Sequence, residues 1–278
     1  MTGLAVMVAP NGARKGHAEH PNLPITVDAI VAEAVACCAV GIQAIHMHVR
    51  DDQGRHSLDA ARYLEATKAV QRATNSEPVI QITTEAVGMF TPSQQIAVVR
   101  ATKPEAVSIA PKELVPDASA EAAAADLYRW AHEERIAIQH IVYGVDEFDR
   151  LLDLIGRGII PGRRHSLIFP LGRYAAAQES DPAELVPFVA KVREQGGVER
   201  FPWWTCAFGA AETTALVATA ALGGQCRIGF ENSFLNSDGS RANSNAERVA
   251  DLQRALCGVT RKRTTRAETL AVLGRPDA

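Results

Sequence analysis

Strand-like and helix-like segments alternate eight times along the 278-residue sequence, and this alternation constrains the fold more than any other feature. Each strand-like segment is short, mostly apolar and rich in β-branched or aromatic residues. The segments are LAVMVA (4–9), AIHMHVR (44–50), PVIQITT (78–84), AVSIA (106–110), RIAIQHIVY (135–143), SLIFPL (166–171), RFPWWTCAF (200–208) and CRIGFE (226–231). Nearly continuous apolar runs are typical of parallel strands that are covered on both faces.

Helix-like segments separate these strands. The first, residues 25–41, has Thr26 as N-cap and Gly41 as its stop, and the second opens with Ser57 as its cap. The other six span residues 91–102, 119–134, 145–158, 181–197, 210–224 and 244–256. The pattern predicts an α/β protein with a single domain over residues 1–278, a closed (β/α)8 TIM barrel. A doubly wound open sheet is the competing architecture.

Composition narrows the class of protein further. The net charge is -3, and we interpret the one basic cluster, RKRTTR at 261–266, as a solvated face, so no nucleic-acid partner is expected. No apolar run is long enough for a membrane helix, and the N-terminus lacks the basic region of a signal peptide. The five cysteines show no C-x-x-C spacing, and Cys37 and Cys38 fall in a helical stretch as small core residues. We therefore expect a reducing, cytoplasmic location.

The segment AIHMHVR places His46 and His48 two residues apart in a strand. Alternate side chains of a strand share a face, so both imidazoles point the same way, and His48 lies near the carboxyl end, where barrel active sites form. Two neutral imidazoles on one face can share a metal ion. Two separately hydrogen-bonded core histidines are the alternative.

A third metal ligand is available at the end of the eighth strand. In a closed barrel this strand returns beside the first, so Glu231 comes within reach of the two histidines. Counting back by twos places Gly229 and Arg227 on the same face, which leaves room for substrate and adds a positive charge. Two histidines and one glutamate with an open position are typical of a catalytic metal site. The alternative for Glu231, if it is considered without the histidines, is a surface carboxylate at a strand end.

The segments APNGAR, HMHVRDDQGRHSLD, QITTE, PEAVSIAPKE and RIGFEN, in this order, resemble the β-keto acid cleavage enzymes, whose prototype is the 3-keto-5-aminohexanoate cleavage enzyme. The likeness spans nearly the whole chain. It implies a (β/α)8 barrel with Zn²⁺ held by His46, His48 and Glu231. It also implies condensation of a β-keto acid with acetyl-CoA to give acetoacetate and a new acyl-CoA, by an acyltransferase that is usually a homo-oligomer, a dimer or a tetramer.

Neighbouring residues could take part in such a reaction. Arg227 would stabilise a carboxylate or a developing oxyanion, with a barrel-interior ion pair as its alternative. Thr83 matches the family's substrate-contacting Ser or Thr best, and we place it with the catalytic residues. Thr84 and Ser108 are further candidates for binding the substrate, although β-branched residues also simply favour strands.

Three positions depart from the family pattern. Glu85 stands where glycines usually follow, and it could recognise substrate, act as a base or form a loop salt bridge; we place it with the catalytic residues. Asn232 replaces an Asp proposed as general base, so it is expected to bind substrate and the base must lie elsewhere. Lys112 and Glu113 replace a small hydroxyl motif, and loop ion pairs are expected for them.

Arg14 follows the first strand, in a region where members of the family contact the far end of the substrate. A guanidinium favours an anionic tail, which suggests a keto diacid; contact with a CoA phosphate or with solvent is the alternative. The sequence has no glycine-rich phosphate loop that would mark the CoA groove. A metal-dependent aldolase or hydrolase that needs no CoA, and a non-catalytic ligand-binding barrel, are the competing functions.

Overall fold

The structure is a computed structural model that describes residues 3–277. Eight parallel strands close into a barrel in the order β1-β8-β7-β6-β5-β4-β3-β2. Their bounds are Val6–Val8 (β1), Ala44–Met47 (β2), Val79–Thr83 (β3), Ala106–Ile109 (β4), Ala137–Ile141 (β5), Ser166–Leu171 (β6), Trp203–Ala207 (β7) and Gln225–Ile228 (β8). The predicted TIM barrel is therefore confirmed, and each strand lies inside the segment that the sequence pattern indicated, except that β8 begins one residue earlier.

Eight helices follow the eight strands in turn. They are Val27–Ala39 (α1), Ala60–Ala73 (α2), Pro92–Thr102 (α3), Glu121–Glu133 (α4), Val145–Gly156 (α5), Leu185–Glu194 (α6), Glu212–Ala221 (α7) and Asn245–Ala255 (α8), and Arg266–Val272 (α9) comes last. Shorter helical turns are Pro111–Leu114, Ala118–Ala120, Ala176–Gln178, Pro182–Glu184, Gly197–Arg200 and Leu256–Gly258. A two-stranded hairpin, Val49–Arg50 with His56–Ser57, follows β2.

Successive side chains of each strand point to opposite sides of the barrel wall, so one hydrophobic core lies between the strands and the helices and another lies inside the barrel. Outward-facing side chains such as Ile45, Met47 and Ile80 pack beneath the helices. Inward-facing side chains such as Met7 and Trp204 fill the barrel, and α9 closes the amino-terminal end of the barrel with Leu270, Val272 and Leu273. This plug is tied to the strands because the Val272 carbonyl accepts hydrogen bonds from the Trp204 indole at 3.0 Å and the Ser166 hydroxyl at 2.8 Å.

Several local expectations can be compared with the structure. Thr26 caps α1, its hydroxyl accepting from the Ala29 N–H, and Gly41 has a positive φ just after the helix. Ser57 does not cap α2: it lies in the hairpin, and Asp59 caps the helix by accepting from Arg62. The predicted cap was therefore wrong by two residues, because Ser57 pairs with Val49 in the hairpin and the helix begins only after Asp59.

The basic cluster at 261–266 is not a purely solvated face. Arg261 donates to the carbonyls of Gly3, Ala220 and Gly224, and Arg266 pairs with Glu105. These arginines therefore fasten the last part of the chain to the barrel. Cys37 is buried as predicted, Cys38 is half-buried, and the five cysteines are free thiols. Within residues 3–277, no helix combines the length and the apolar character that crossing a bilayer requires.

Candidate metal centre and active site

His46 and His48 direct their ring nitrogens to a common point at the carboxyl end of the barrel. Their Nε2 atoms lie 3.1 Å apart, and both rings are buried. The strand β2 ends at Met47, so His48 lies one residue beyond it. Asn11 holds it there, since its side chain donates to the His48 carbonyl at 2.9 Å and accepts from the His48 N–H at 3.3 Å.

A chain of amides orients His46 from the other side. The Gln81 Nε2 donates to Gln139 at 3.2 Å, so the Gln81 Oε1 faces the His46 Nδ1 at 2.7 Å and accepts its proton. This assignment leaves the lone pair on the Nε2 atom of His46. Fixing the tautomer of a histidine through its second nitrogen is the arrangement that metal-ligating histidines use.

Glu231 reaches the histidines from a turn and not from the strand. The strand β8 ends at Ile228, and Gly229 has φ +147°, a conformation that L side chains rarely adopt. A Cβ atom at Gly229 would lie 2.4 Å from the Ala9 carbonyl oxygen. The buried side chains of Glu212 and Asn245 accept from the N–H groups of Gly229 and Phe230, so the turn is held in place.

The donor atoms of the three residues form a triangle suited to one ion. The Glu231 Oε2 lies 3.6 Å from the His46 Nε2 and 3.5 Å from the His48 Nε2. Three ligands at tetrahedral zinc, each about 2.0–2.1 Å from the ion, are separated by roughly 3.3 Å. The Oε2 atom is buried and has no hydrogen-bond partner among residues 3–277. The residues present therefore fit a bound divalent cation, and His46, His48 and Glu231 are the ones that could hold it.

The charges around the triangle also suit a cation. Burial, followed by the charge of Arg227, lowers the pKa of His46 well below 6.5, so its imidazole is neutral at pH 7. Burial would raise the pKa of Glu231, but the charge of Arg227 beside it acts in the opposite direction, and the pKa lies well below 4.5. The site thus presents a neutral imidazole and a carboxylate, which are the forms that bind metal.

Arg227 lies beside the triangle inside the barrel. Its guanidinium donates to the Glu231 Oε1 and to the Cys206 Sγ, both at 3.0 Å. Its Nε is buried and has no partner within residues 3–277, so one donor is left for a ligand. The interior ion pair considered from the sequence is therefore present, and the role of Arg227 toward a substrate stays a prediction.

A narrow cavity of about 30 Å³ adjoins the triangle, and it is lined by Thr83, Glu85 and Arg173 among others. Thr83 accepts from the Glu85 N–H at 3.0 Å and from the Ser108 hydroxyl at 3.4 Å, which leaves its own O–H free to donate. The carboxylate of Glu85 accepts from Arg173 at 3.0 Å. Glu85 therefore forms the salt bridge considered from the sequence and also faces the cavity.

Other predicted site residues lie further away. The Thr84 hydroxyl donates to the Ser108 carbonyl at 3.0 Å, and neither Thr84 nor Ser108 lines the cavity. Arg14 is exposed at the outer mouth, where it lines a second space with Lys15, Glu85 and Arg173.

Asn232 is buried, does not line either space, and has no partner for its amide atoms within residues 3–277. Lys112, in the short helical turn Pro111–Leu114, forms the expected ion pair, with Glu147 as its partner.

Several residues of the site were not singled out from the sequence. They are Arg173, Tyr143, Cys206 and Phe208, which line the cavity, and Lys15, which donates to the Phe230 carbonyl at 3.1 Å. A usable signal was present, because Tyr143 and Arg173 stand within two residues after β5 and β6, where barrel sites form. Arg50, which follows the two histidines in the segment AIHMHVR, has a structural role. It donates to the carbonyls of Gly12, Gly54 and Lys15 and so shapes the loop after β1.

A closed (β/α)8 barrel that collects two histidines and a glutamate at the carboxyl ends of its strands defines a TIM-barrel enzyme with a candidate metal centre. A family model described as beta-keto acid cleavage enzyme matches residues 4–274. Because this match spans nearly the whole sequence, the chain belongs to the β-keto acid cleavage enzyme family.

Two relatives carry the name 3-keto-5-aminohexanoate cleavage enzyme. The one from Acetoanaerobium sticklandii is 25% identical over 281 residues, which cover 99% of each chain. The one from Fusobacterium nucleatum is 23% identical over 290 residues, which cover 98% of each chain. The similarity thus extends over the full length of both relatives.

Solved structures share the fold. ObcA in a binary complex with oxaloacetate has a TM-score of 0.74 and 16% identity, covering 92% of this chain and 68% of that chain. ObcA in a ternary complex with a C4-CoA adduct and oxalate has a TM-score of 0.74 and 16% identity, covering 91% and 67%. An aldolase from Thermotoga maritima, DAHP synthase, has a TM-score of 0.56 and 12% identity, covering 94% and 72%. At these identities the likeness shows the fold alone.

Proposed function

We propose that the protein is a zinc-dependent acyltransferase that condenses a β-keto acid with acetyl-CoA and releases acetoacetate and a new acyl-CoA. The observation that carries the proposal is the convergence of the His46, His48 and Glu231 donor atoms within 3.6 Å of one another, beside a cavity. Zinc held there would supply the Lewis acidity that polarises a ketone. The overall exchange balances, because the CH₂–COO⁻ unit of the β-keto acid joins the acetyl group and the remaining acyl group joins CoA.

Arg227 and Thr83 would bind the substrate carboxylate and the charge that develops during the reaction. Both line the cavity, and each has a hydrogen-bond donor that the protein leaves unused, the Nε of Arg227 and the hydroxyl of Thr83. Donors placed in advance in a buried site stabilise a developing oxyanion because they need no reorganisation. A charged hydrogen bond from Arg227 is the stronger of the two.

Glu85 is our candidate for the general base. It shares the cavity with Glu231, and these two are the carboxylates among the described residues that line it. Since Glu231 is assigned to the metal and Asn232 has no basic oxygen, Glu85 is left to accept the proton from the carbon between the ketone and the carboxylate. Arg173, at 3.0 Å, would hold its carboxylate in position.

A keto diacid is the substrate class that we propose. Arg14, Lys15 and Arg173 line the outer space together with two carboxylates, Glu85 and Glu231, so cations are in excess along the path to the triangle. Guanidinium groups bind a distal carboxylate through paired hydrogen bonds. Oxaloacetate, which is bound in one ObcA structure, is itself a β-keto diacid. We further propose that the protein is a cytoplasmic homo-oligomer.

The test is a panel of β-keto monoacids, diacids and amino acids, assayed for acetoacetate with and without acetyl-CoA, alongside metal analysis of the purified protein. The proposal expects about one zinc per chain and acetoacetate release only with acetyl-CoA. Cleavage without CoA would favour the metal-dependent aldolase or hydrolase, and an active protein free of metal would remove the proposal. Glu231→Gln should lose both metal and turnover, whereas a binding protein would show no turnover in either form.

A further inference from the structure

A cavity larger than the one beside the triangle lies near the amino-terminal end of the barrel, away from the candidate active site. Its volume is about 460 Å³. It is bordered by α4, the strand β5, the segment that leads into β6, and the residues that follow α9, and it opens to solvent at the exposed residues Gly162 and Arg163. Gln139 of β5 faces the barrel interior, whereas Ile138 and His140 face outward into this cavity. A volume of this size suits a small organic ligand.

Five polar atoms at this cavity are buried and have no hydrogen-bond partner within residues 3–277. They are the Tyr128 hydroxyl, the His140 Nδ1, the Arg164 Nε, the His165 Nε2 and the Arg275 Nε. All five residues line the cavity, and the side chains of Tyr128, His140 and His165 are almost fully buried. Buried polar atoms are rarely left unpaired, so a cluster of five indicates a missing partner.

The cavity is also cationic. Arg163, Arg164 and Arg275 line it, and no ion pair joins any of them to a carboxylate in the described part of the chain. Asp277 is the one acidic residue of the described lining. Arg163 is exposed, and Arg164 and Arg275 are half-buried. An anion bound among them would gain charged hydrogen bonds from guanidiniums that no carboxylate of the described residues already pairs with.

We infer that this cavity is a binding site for a phosphomonoester. The two arginine nitrogens only donate hydrogen bonds, the tyrosine hydroxyl can donate, and each imidazole nitrogen donates once it carries a proton. A phosphoryl group offers three strong acceptor oxygens, which match such a set of donors. The apolar wall formed by Ile136, Ile138, Ile160 and Pro161 would receive the organic part of the ligand. This inference does not depend on the function proposed for the other end of the barrel.

Isothermal titration calorimetry in phosphate-free buffer tests the inference. The probes are inorganic phosphate, glucose 6-phosphate and AMP, each compared with sulfate, glucose or adenosine at matched ionic strength. We expect a stoichiometry of one phosphomonoester per chain. We also expect the phosphomonoester to bind more tightly than its unphosphorylated counterpart. Arg164→Gln and Arg275→Gln should each weaken binding about tenfold or more, since each removes a charged hydrogen bond.

Three further variants make the result specific. Tyr128→Phe keeps the ring and removes one donor, so affinity should fall about two- to tenfold with an unchanged melting temperature. Arg72→Gln, an exposed arginine of α2, and Arg14→Gln, at the active-site mouth, should bind as the wild type does.

The inference would be overturned if none of the phosphate probes binds at millimolar concentration, or if Arg164→Gln and Arg275→Gln bind like the wild type. Loss of binding in Arg14→Gln alone would place the ligand at the barrel mouth instead. A wild-type oligomer that dissociates in Arg164→Gln would show that a second copy of the chain occupies the cavity.

Discussion

The Nε2 atoms of His46 and His48 lie 3.1 Å apart, and each is within 3.6 Å of the same oxygen of Glu231. These residues come from opposite ends of the sequence. Two imidazole nitrogens that face each other repel unless a proton or a cation lies between them. The position between the two Nε2 atoms and the Glu231 oxygen is therefore where an ion would bind. The surrounding residues determine how well this arrangement is maintained.

Gln81→Leu should weaken metal binding. The Gln81 Oε1 accepts from the His46 Nδ1 at 2.7 Å, so its loss frees both the tautomer and the ring orientation of His46. Removal of such a supporting partner lowers metal affinity by about 10- to 100-fold. Competition with a chelator measures this. Gln139→Leu is the matched control, because Gln139 contacts Gln81 and not His46, and its effect should be smaller. Equal losses in both variants would contradict the role of Gln81.

Gly12→Ala should displace Glu231. Gly12 has φ +60°, and a Cβ atom there would lie 2.6 Å from the Glu231 Cγ. Gly88→Ala is the control, because Gly88 has φ +75° and nothing lies within 4 Å of its Cβ position. Both variants should lose about 1–2 kcal/mol of stability to backbone strain. Metal affinity should fall only in Gly12→Ala, as measured by metal content after dialysis, and a loss in both would show a general effect of strain.

Glu85→Gln should reduce kcat/KM by about 10²–10⁴-fold if Glu85 is the general base. The amide keeps the size of the side chain but cannot accept the proton. Glu113→Gln serves as the control, since the Glu113 carboxylate accepts from the Ala86 N–H and does not line the cavity. Steady-state assays with the preferred β-keto acid measure the difference. A loss confined to KM would reassign Glu85 to substrate recognition.

His140 should make stability depend on pH. Burial lowers its pKa from 6.5 to about 3, so the unfolded chain takes up the proton first as pH falls. The stabilisation is therefore present above pH 6.5 and is lost progressively toward pH 3. Between pH 7 and pH 5, the free energy of unfolding should fall by about 2 kcal/mol more in the wild type than in His140→Leu. Urea titrations in phosphate-free buffer at the two pH values measure this, and equal falls would refute it.

The barrel and the pair of histidines could be predicted from the sequence because both depend on local periodicity. Strand and helix periods are set by the backbone, so the eight alternations indicated the fold, and the two-residue spacing placed His46 and His48 on one face. Glu231 was placed correctly near them by strand counting, yet the strand ends at Ile228 and a glycine turn does the positioning. Arg173 and Tyr143 were not singled out: both stand two residues beyond a strand end, which marks them as candidates, but that position alone does not reveal which side chains turn inward.

The sequence by itself determined the order of strands and helices, the inward parity of each strand and the residue types available for a metal. Only the tertiary structure decided that residues 46, 48 and 231 meet, that Glu85 pairs with Arg173, and that Thr84 faces away from the cavity. The physical reason is that periodicity is a property of neighbouring residues. The path of a turn depends on contacts between distant segments, such as Glu212 with Gly229 and Asn11 with His48.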